Sequence, residues 1–167
     1  ELLPVNFGNY NKDAKLYTIV LDISRSMYHS NLKQLIIAKE AATKLISILE
    51  DNDYVAFVTL AGQTRVELPP TKLGDCRADL YNMIQSVEPT QGTFVGASLN
   101  MAYELMKDMD FEEKQVMLIS DGKQYANEPC HRFLPGVLST LQNAYQDANC
   151  REGKEHRVNY SSYHKVL

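Results

Sequence analysis

Five side chains that carry oxygen atoms stand beside apolar stretches of the sequence, where strands or helices are expected to begin or end. They are Asp22, Ser24, Ser26, Thr93 and Asp121. Hydroxyl and carboxylate oxygens are the ligands that hard cations such as Mg²⁺ prefer in proteins. These residue types therefore predict a site for Mg²⁺, which Mn²⁺ or Ca²⁺ could also occupy.

The elements that must position these side chains begin with three short apolar stretches. They cover residues 16–21, 54–60 and 116–120, and each predicts a strand buried on both faces, as in a parallel sheet. A fourth stretch, 64–68, alternates polar and apolar residues before Pro69-Pro70. Because proline donates no ladder hydrogen bond, this stretch predicts a short edge strand.

Helices are predicted between the strands by apolar residues at three- and four-residue spacing. The predicted helices cover residues 31–50, 78–87 and 94–107. A further helix is expected over 133–145, and a last strand near the end of the chain. The alternation of strands and helices predicts an open, mostly parallel, doubly wound α/β sheet with helices on both faces.

In such sheets ligands bind at the carboxyl ends of the strands, where the five side chains are expected. Alternate spacing lets Asp22, Ser24 and Ser26 point towards one place if the segment is extended. Helix caps and turns are the structural alternatives, with Ser24, Ser26 and Thr93 as caps and Asp121 as a turn residue. Two aspartates at the ends of two core strands favour the metal site, because caps do not require them.

Three segments together resemble the von Willebrand factor A domain, whose metal-ion-dependent adhesion site is built from them. They are the Asp-x-Ser-x-Ser stretch at 22–26, the Gly-Thr loop at 92–93 and the Ser-Asp-Gly end at 120–122. The resemblance covers roughly residues 13–141 and implies a Rossmann-like fold.

The resemblance also implies a role for each of the five residues. Ser24, Ser26 and Thr93 would coordinate the metal. Asp22 and Asp121 would hold its waters or bind it directly. Neutral hydroxyls leave a dication poorly neutralised, so an Asp or Glu of a protein partner is expected as a further ligand.

Two features depart from the family pattern. Arg25 stands where the family often has a small residue, and it is expected either at the rim of the partner-binding surface or solvated outside the loop. Only 46 residues follow Asp121, where the family usually adds a strand and a terminal helix. We therefore expect residues 1–167 to form one domain, with a core at about 13–145, that is incomplete at its C-terminus and part of a larger polypeptide.

The resemblance favours a metal-dependent module for adhesion or assembly, in a cell-surface protein or an auxiliary subunit of a membrane channel. The alternatives are an intracellular module that works with an ATPase, and a structural domain with an inactive site. An extracellular or cell-surface location is favoured over a cytoplasmic one. A Cys130–Cys150 disulfide or a sugar on Asn159 would support it, whereas two free thiols would support the inside of the cell.

Other function classes are excluded by composition and by missing motifs. A net charge of −4 lacks the basic footprint of a nucleic-acid binder, and no apolar run is long enough to insert into a membrane. A phosphotransferase of the haloacid dehalogenase type needs a second carboxylate two residues after Asp22, where this chain has Ser24. Without a phosphate-binding loop or a nucleophile elbow either, no enzyme activity is expected.

Overall fold

The computed structural model describes residues 13–28 and 33–121, and every structural statement below concerns these residues. The strands are β1 (Leu16–Asp22), β2 (Tyr54–Leu60), β3 (Arg65–Lys72) and β4 (Lys114–Ile119). The helices are α1 (Lys33–Ile48), α2 (Leu73–Ser86) and α3 (Val95–Met106), with a 3-10 helix at Arg25–Tyr28. The predicted helix at 133–145, the last strand, the Cys130–Cys150 pair and the Asn159 sugar lie outside the described residues.

The four described strands form one sheet in the order β3-β2-β1-β4. β1 is parallel to both β2 and β4, and Leu16 is level with Tyr54 on one side and with Lys114 on the other. β3 is antiparallel to β2. The carboxyl ends of β1, β2 and β4 therefore meet at one edge, which confirms the predicted mostly parallel sheet.

Helices cover both faces of this sheet. α3 packs on one face, where Val95, Leu99 and Met106 share a core with Leu16 and Val20 of β1. α1 and α2 pack on the other face, around a second core that contains Ile19, Leu21 and Phe57. Because both faces are covered, all seven residues of β1 are buried. The doubly wound arrangement predicted from the sequence is confirmed.

The largest differences from the predicted boundaries lie in β3 and α2. β3 continues through Pro69 and Pro70, which an edge strand tolerates because its outer side has no ladder partner among the described residues. α2 begins at Leu73 and not at residue 78. The backbone N–H of Leu73 donates to the carbonyl of Asp53 over 2.8 Å, so this first amide of the helix has a partner.

Within residues 13–28 and 33–121, no helix combines the length and the apolar character needed to cross a membrane.

Candidate metal site at the carboxyl end of the sheet

Three of the five predicted ligand residues form one chain of polar contacts. The Oγ atoms of Ser24 and Ser26 lie 3.0 Å apart, and the Ser26 hydroxyl donates to Oδ1 of Asp121 over 3.1 Å. The two segments meet because β1 and β4 are adjacent parallel strands that end at the same edge. Residues that follow the first and the last described strand thus supply oxygen atoms to one place.

Asp22 lies behind this chain of contacts and is fully buried. Its Oδ1 accepts a hydrogen bond of 2.8 Å from the backbone N–H of Ser24, and its Oδ2 accepts one from the Ser120 hydroxyl. Burial raises the pKa of Asp22 to about 6, against the opposing effect of the hydrogen bonds from Ser120 and Ser24. Nearby Asp121 raises this pKa further. The ionised carboxylate therefore lacks full compensation for its lost hydration.

The segment that carries the serines is not extended, contrary to the expectation from alternate spacing. Ser24 forms an isolated parallel bridge with Thr90, and the chain then enters the 3-10 helix at Arg25. The backbone N–H of Met27 donates to the carbonyl of Ser24 over 3.0 Å and closes this turn. The tight turn, and not strand alternation, brings the two hydroxyls together.

The loop that carries Thr93 is held against the ends of β1 and β2 by backbone hydrogen bonds. Thr90 N–H donates to the carbonyl of Ile23 over 2.8 Å, and Phe94 N–H donates to the carbonyl of Ala61 over 3.1 Å. Thr93 itself is buried. The residue that caps α3 is Phe94, so Thr93 does not serve as the N-cap. The backbone of its loop holds Thr93 beside the end of the sheet.

Two glycines make this close approach feasible. Gly92 has a φ of 85°, a left-handed conformation that L side chains rarely adopt. A Cβ atom on Gly92 would lie 2.4 Å from the Cα of Gly62. The Gly62 N–H in turn donates to the carbonyl of Gln91 over 2.8 Å. The loop therefore depends on the absence of side chains at both positions.

The sequence analysis missed Ser120 and expected Arg25 at the rim of the site. Ser120 was not among the predicted site residues, although it directly precedes Asp121, and its hydroxyl hydrogen-bonds Asp22. Its position next to a predicted ligand at a strand end was the available signal. Arg25 is exposed in the 3-10 helix, where it can face solvent or a partner.

The oxygen atoms suit a small dication. Mg²⁺ binds ligands at about 2.1 Å in an octahedron, so neighbouring ligand atoms lie about 3.0 Å apart. The two contacts of Ser26, at 3.0 Å and 3.1 Å, are hydrogen bonds of ordinary length, and this length is also compatible with the spacing of Mg²⁺ ligands. No group of three or more His, Cys, Asp or Glu residues suited to a metal is found within the described ranges. A metal held here would thus depend on hydroxyl ligands.

A family model described as the von Willebrand factor type A domain matches residues 17–124, which is more than half of the chain and contains all five predicted ligands. No curated protein matches the sequence.

Solved structures share this fold. The von Willebrand factor domain of the type V pili tip protein Mfa5 from Porphyromonas gingivalis has a TM-score of 0.60 and 23% identity over 66% of this chain and 38% of that chain. An aerotolerance-related membrane protein from Bacteroides fragilis has a TM-score of 0.58 and 26% identity over 67% of this chain and 56% of that chain. A von Willebrand factor type A protein from Catenulispora acidiphila has a TM-score of 0.63 and 22% identity over 81% of this chain and 31% of that chain. The chain thus spans less than two thirds of each of these structures.

Proposed function

Because this chain belongs to the von Willebrand factor type A family, whose members are typically protein-interaction modules, we propose that it binds a protein partner through a metal ion. The proposed metal is Mg²⁺, with Mn²⁺ or Ca²⁺ as substitutes, and the proposed partner group is an Asp or Glu side chain. The observation that carries the proposal is the contact chain Ser24–Ser26–Asp121, which brings hard oxygen ligands from the ends of two neighbouring strands to one place.

Each residue has a definite role in this proposal. Ser24, Ser26 and Thr93 hold the ion through their hydroxyl oxygens, and Asp121 holds it through its carboxylate or through a water. Asp22, buried and oriented by Ser24 N–H and the Ser120 hydroxyl, supplies negative charge from behind. A bound dication relieves the cost of that buried charge and provides a Lewis-acidic position for an incoming carboxylate.

The partner's acidic group follows from the charges of the groups that would contact the ion directly. These are three neutral hydroxyls and at most the Asp121 carboxylate, since Asp22 lies behind them, so the coordinating groups neutralise the dication only partly. A carboxylate that replaces a water there gains a direct bond to the ion. A single contact of this kind gives little specificity, so Arg25 and the neighbouring loops are proposed as the surrounding interface.

The proposed setting is adhesion or assembly at a cell surface. A pilus tip protein and a membrane protein are among the structures that share the fold. We also propose that the chain is not an enzyme. For a phosphotransferase of the haloacid dehalogenase type in particular, Ser24 stands where a second carboxylate would be required.

Calorimetric titration with Mg²⁺ tests the metal site. The unmodified chain should bind one ion, and Asp121→Asn should weaken binding by about tenfold or more, since a charged ligand is lost. Asp79→Asn is the matched control, because Asp79 is exposed on α2, away from the site. Equal Mg²⁺ affinity in the unmodified chain and Asp121→Asn, with circular dichroism showing both folded, would overturn the site.

The acidic partner group is tested with Mn²⁺ and a small probe. N-acetyl-glutamate methylamide should lower the water-proton relaxation of the Mn²⁺-loaded protein, because its carboxylate displaces a bound water. The glutamine analogue, which has the same shape and no charge, should leave the relaxation unchanged. Equal behaviour of the two probes contradicts carboxylate capture.

A further inference from the structure

A cavity of about 410 Å³ lies beside the candidate metal site, between the end of α2, the beginning of β3 and the segment 88–91. Its volume falls within the range of roughly 300–1,000 Å³ that is common for ligand pockets. Every residue that lines it belongs to the described part of the chain. None of the roles proposed above uses this cavity.

The cavity combines an apolar wall with charged side chains. Ile23, Met83 and Val87 line it. Ile23 belongs to the core beneath α1 and α2, and Met83 and Val87 pack against that core. Glu67 and Glu88 also line it. An apolar wall next to carboxylates suits a side chain with an aliphatic stem and a cationic end.

The protein neutralises the carboxylates of this cavity only in part. Neither Glu67 nor Glu88 forms an ion pair in the part of the chain that the structure describes. Oε1 of Glu67 accepts a hydrogen bond of 2.8 Å from the hydroxyl of Thr59, which is 1% exposed. This bond orients one carboxylate, and a carboxylate accepts further hydrogen bonds. Arg65 also lines the cavity, so the charged side chains that line it have a formal net charge of −1.

The cavity shares a wall with the candidate metal site. Ile23 and Thr90 both line the cavity, and they are joined by the hydrogen bond from Thr90 N–H to the carbonyl of Ile23. Ile23 stands between Asp22 and Ser24 in the chain. One short stretch of backbone thus separates the two sites.

We propose that this cavity binds a basic side chain, lysine or arginine, of the same partner whose carboxylate binds at the metal. The aliphatic stem lies against Ile23, Met83 and Val87, and the cationic end forms charge-assisted hydrogen bonds with Glu67 and Glu88. Binding of the basic group needs no metal. Its assignment to the metal-bound partner rests on the proposed function.

The cavity is tested by NMR titration in EDTA with N-acetyl-lysine methylamide and N-acetyl-arginine methylamide. At least one should shift the amide signals of Gln63 and Gln91 with saturation at millimolar concentration, and uncharged N-acetyl-norleucine methylamide should not. Glu67→Gln and Glu88→Gln should each weaken binding about threefold or more. Glu40→Gln, which removes an exposed acid of α1, is the matched control and should have no effect.

The inference is overturned if norleucine methylamide binds as well as the basic probes, or if neither glutamate substitution changes their affinity. A Mg²⁺ titration of Glu67→Gln separates the two proposals, because this variant should bind Mg²⁺ like the unmodified chain. If the chain binds Mg²⁺ but no basic probe, only the proposal for the cavity is wrong. If it binds a basic probe but no Mg²⁺, only the proposal for the metal site is wrong.

The common partner is tested with a peptide that carries a glutamate and a lysine joined by a flexible Gly-Ser spacer. In Mg²⁺ it should bind at least tenfold more tightly than either single-residue probe, because the second contact becomes intramolecular. EDTA should abolish this gain, and Glu67→Gln should reduce it about threefold or more. A gain that survives EDTA, or that Glu67→Gln leaves unchanged, contradicts simultaneous use of the two sites.

Discussion

The hydroxyl of Ser26 donates a hydrogen bond of 3.1 Å to Oδ1 of Asp121, although the two residues are 95 positions apart in the sequence. The contact forms because β1 and β4 are neighbouring parallel strands, and each residue follows the end of one of them. The contact lies at the carboxyl ends of these strands, where Asp22 is buried. One hydroxyl therefore both links two distant segments and belongs to the candidate metal site.

Replacing Ser26 should affect metal binding more than stability. Ser26→Ala removes one proposed ligand, and it should weaken Mg²⁺ binding by about tenfold, with a stability loss of about 1 kcal/mol from the missing hydrogen bond. Calorimetry measures the first effect and thermal unfolding in EDTA the second. Ser47→Ala, which removes an exposed hydroxyl that donates to the Lys44 carbonyl, is the control and should leave Mg²⁺ affinity unchanged. Equal Mg²⁺ affinity in both serine variants contradicts the role of Ser26.

The pH dependence of stability should report the burial of Asp22. Its pKa rises from 3.8 to about 6 in the folded chain, mainly because burial disfavours the charged form. Between about pH 4 and pH 6 the folded chain retains the proton that the unfolded chain has released. The free energy of unfolding should therefore decrease as the pH rises through this window, by about 3 kcal/mol for this group, and its contribution should become constant above about pH 6.

Urea unfolding in EDTA at several pH values measures this dependence, and Asp22→Asn isolates it. The difference between the unmodified chain and Asp22→Asn should change between about pH 4 and pH 6 and stay flat above that range. Parallel pH profiles of the two proteins would show that Asp22 does not titrate as its burial requires. Added Mg²⁺ should stabilise the unmodified chain above about pH 6 and much less below it, because the ion and the proton compete for the carboxylate.

The sequence predicted the arrangement of the sheet well because burial on both faces leaves a clear pattern. Apart from Thr18, β1 is apolar up to Asp22, and all of its residues are indeed buried. The polar residues at strand ends could be identified for the same reason, since they interrupt such stretches. The early beginning of α2 escaped prediction because it depends on tertiary contacts, such as the bond from Leu73 N–H to the Asp53 carbonyl.

Details of the site were harder to predict because side-chain spacing does not determine a turn. The 3-10 helix at Arg25–Tyr28 is not apparent in the alternation of residues 22, 24 and 26. The bond from Ser120 to Asp22 joins residues 98 positions apart and requires knowledge of the strand order. The contact of Gly62 with Gly92 likewise becomes visible only when the loop is placed against β2.

A side chain on Gly92 should disturb the loop that holds Thr93. Gly92→Ala places a Cβ in the left-handed region and against the Cα of Gly62, so it should destabilise the chain by about 2 kcal/mol or more. Because the loop must move away from β2, Mg²⁺ binding should also weaken, by about tenfold. Thermal unfolding and calorimetry measure the two effects.

Gly74→Ala is the control for this loop, since Gly74 lies in the first turn of α2, away from the candidate site, and has no left-handed φ. It should leave Mg²⁺ affinity unchanged. If Gly92→Ala binds Mg²⁺ as tightly as Gly74→Ala while it is folded, the position of Thr93 does not matter for the metal.

Charge reversal at Arg25 should affect binding of the partner group more than binding of the ion. Arg25 is exposed in the 3-10 helix next to Ser24 and Ser26, and it is expected to attract an approaching carboxylate. Arg25→Glu should weaken binding of N-acetyl-glutamate methylamide to the Mn²⁺-loaded protein about threefold or more and reduce its dependence on salt. Mn²⁺ affinity should change less than the affinity for the probe. Lys44→Glu, which makes the same charge change on the exposed surface of α1, controls for net charge. An equal loss in both variants would assign the effect to net charge and remove Arg25 from the interface.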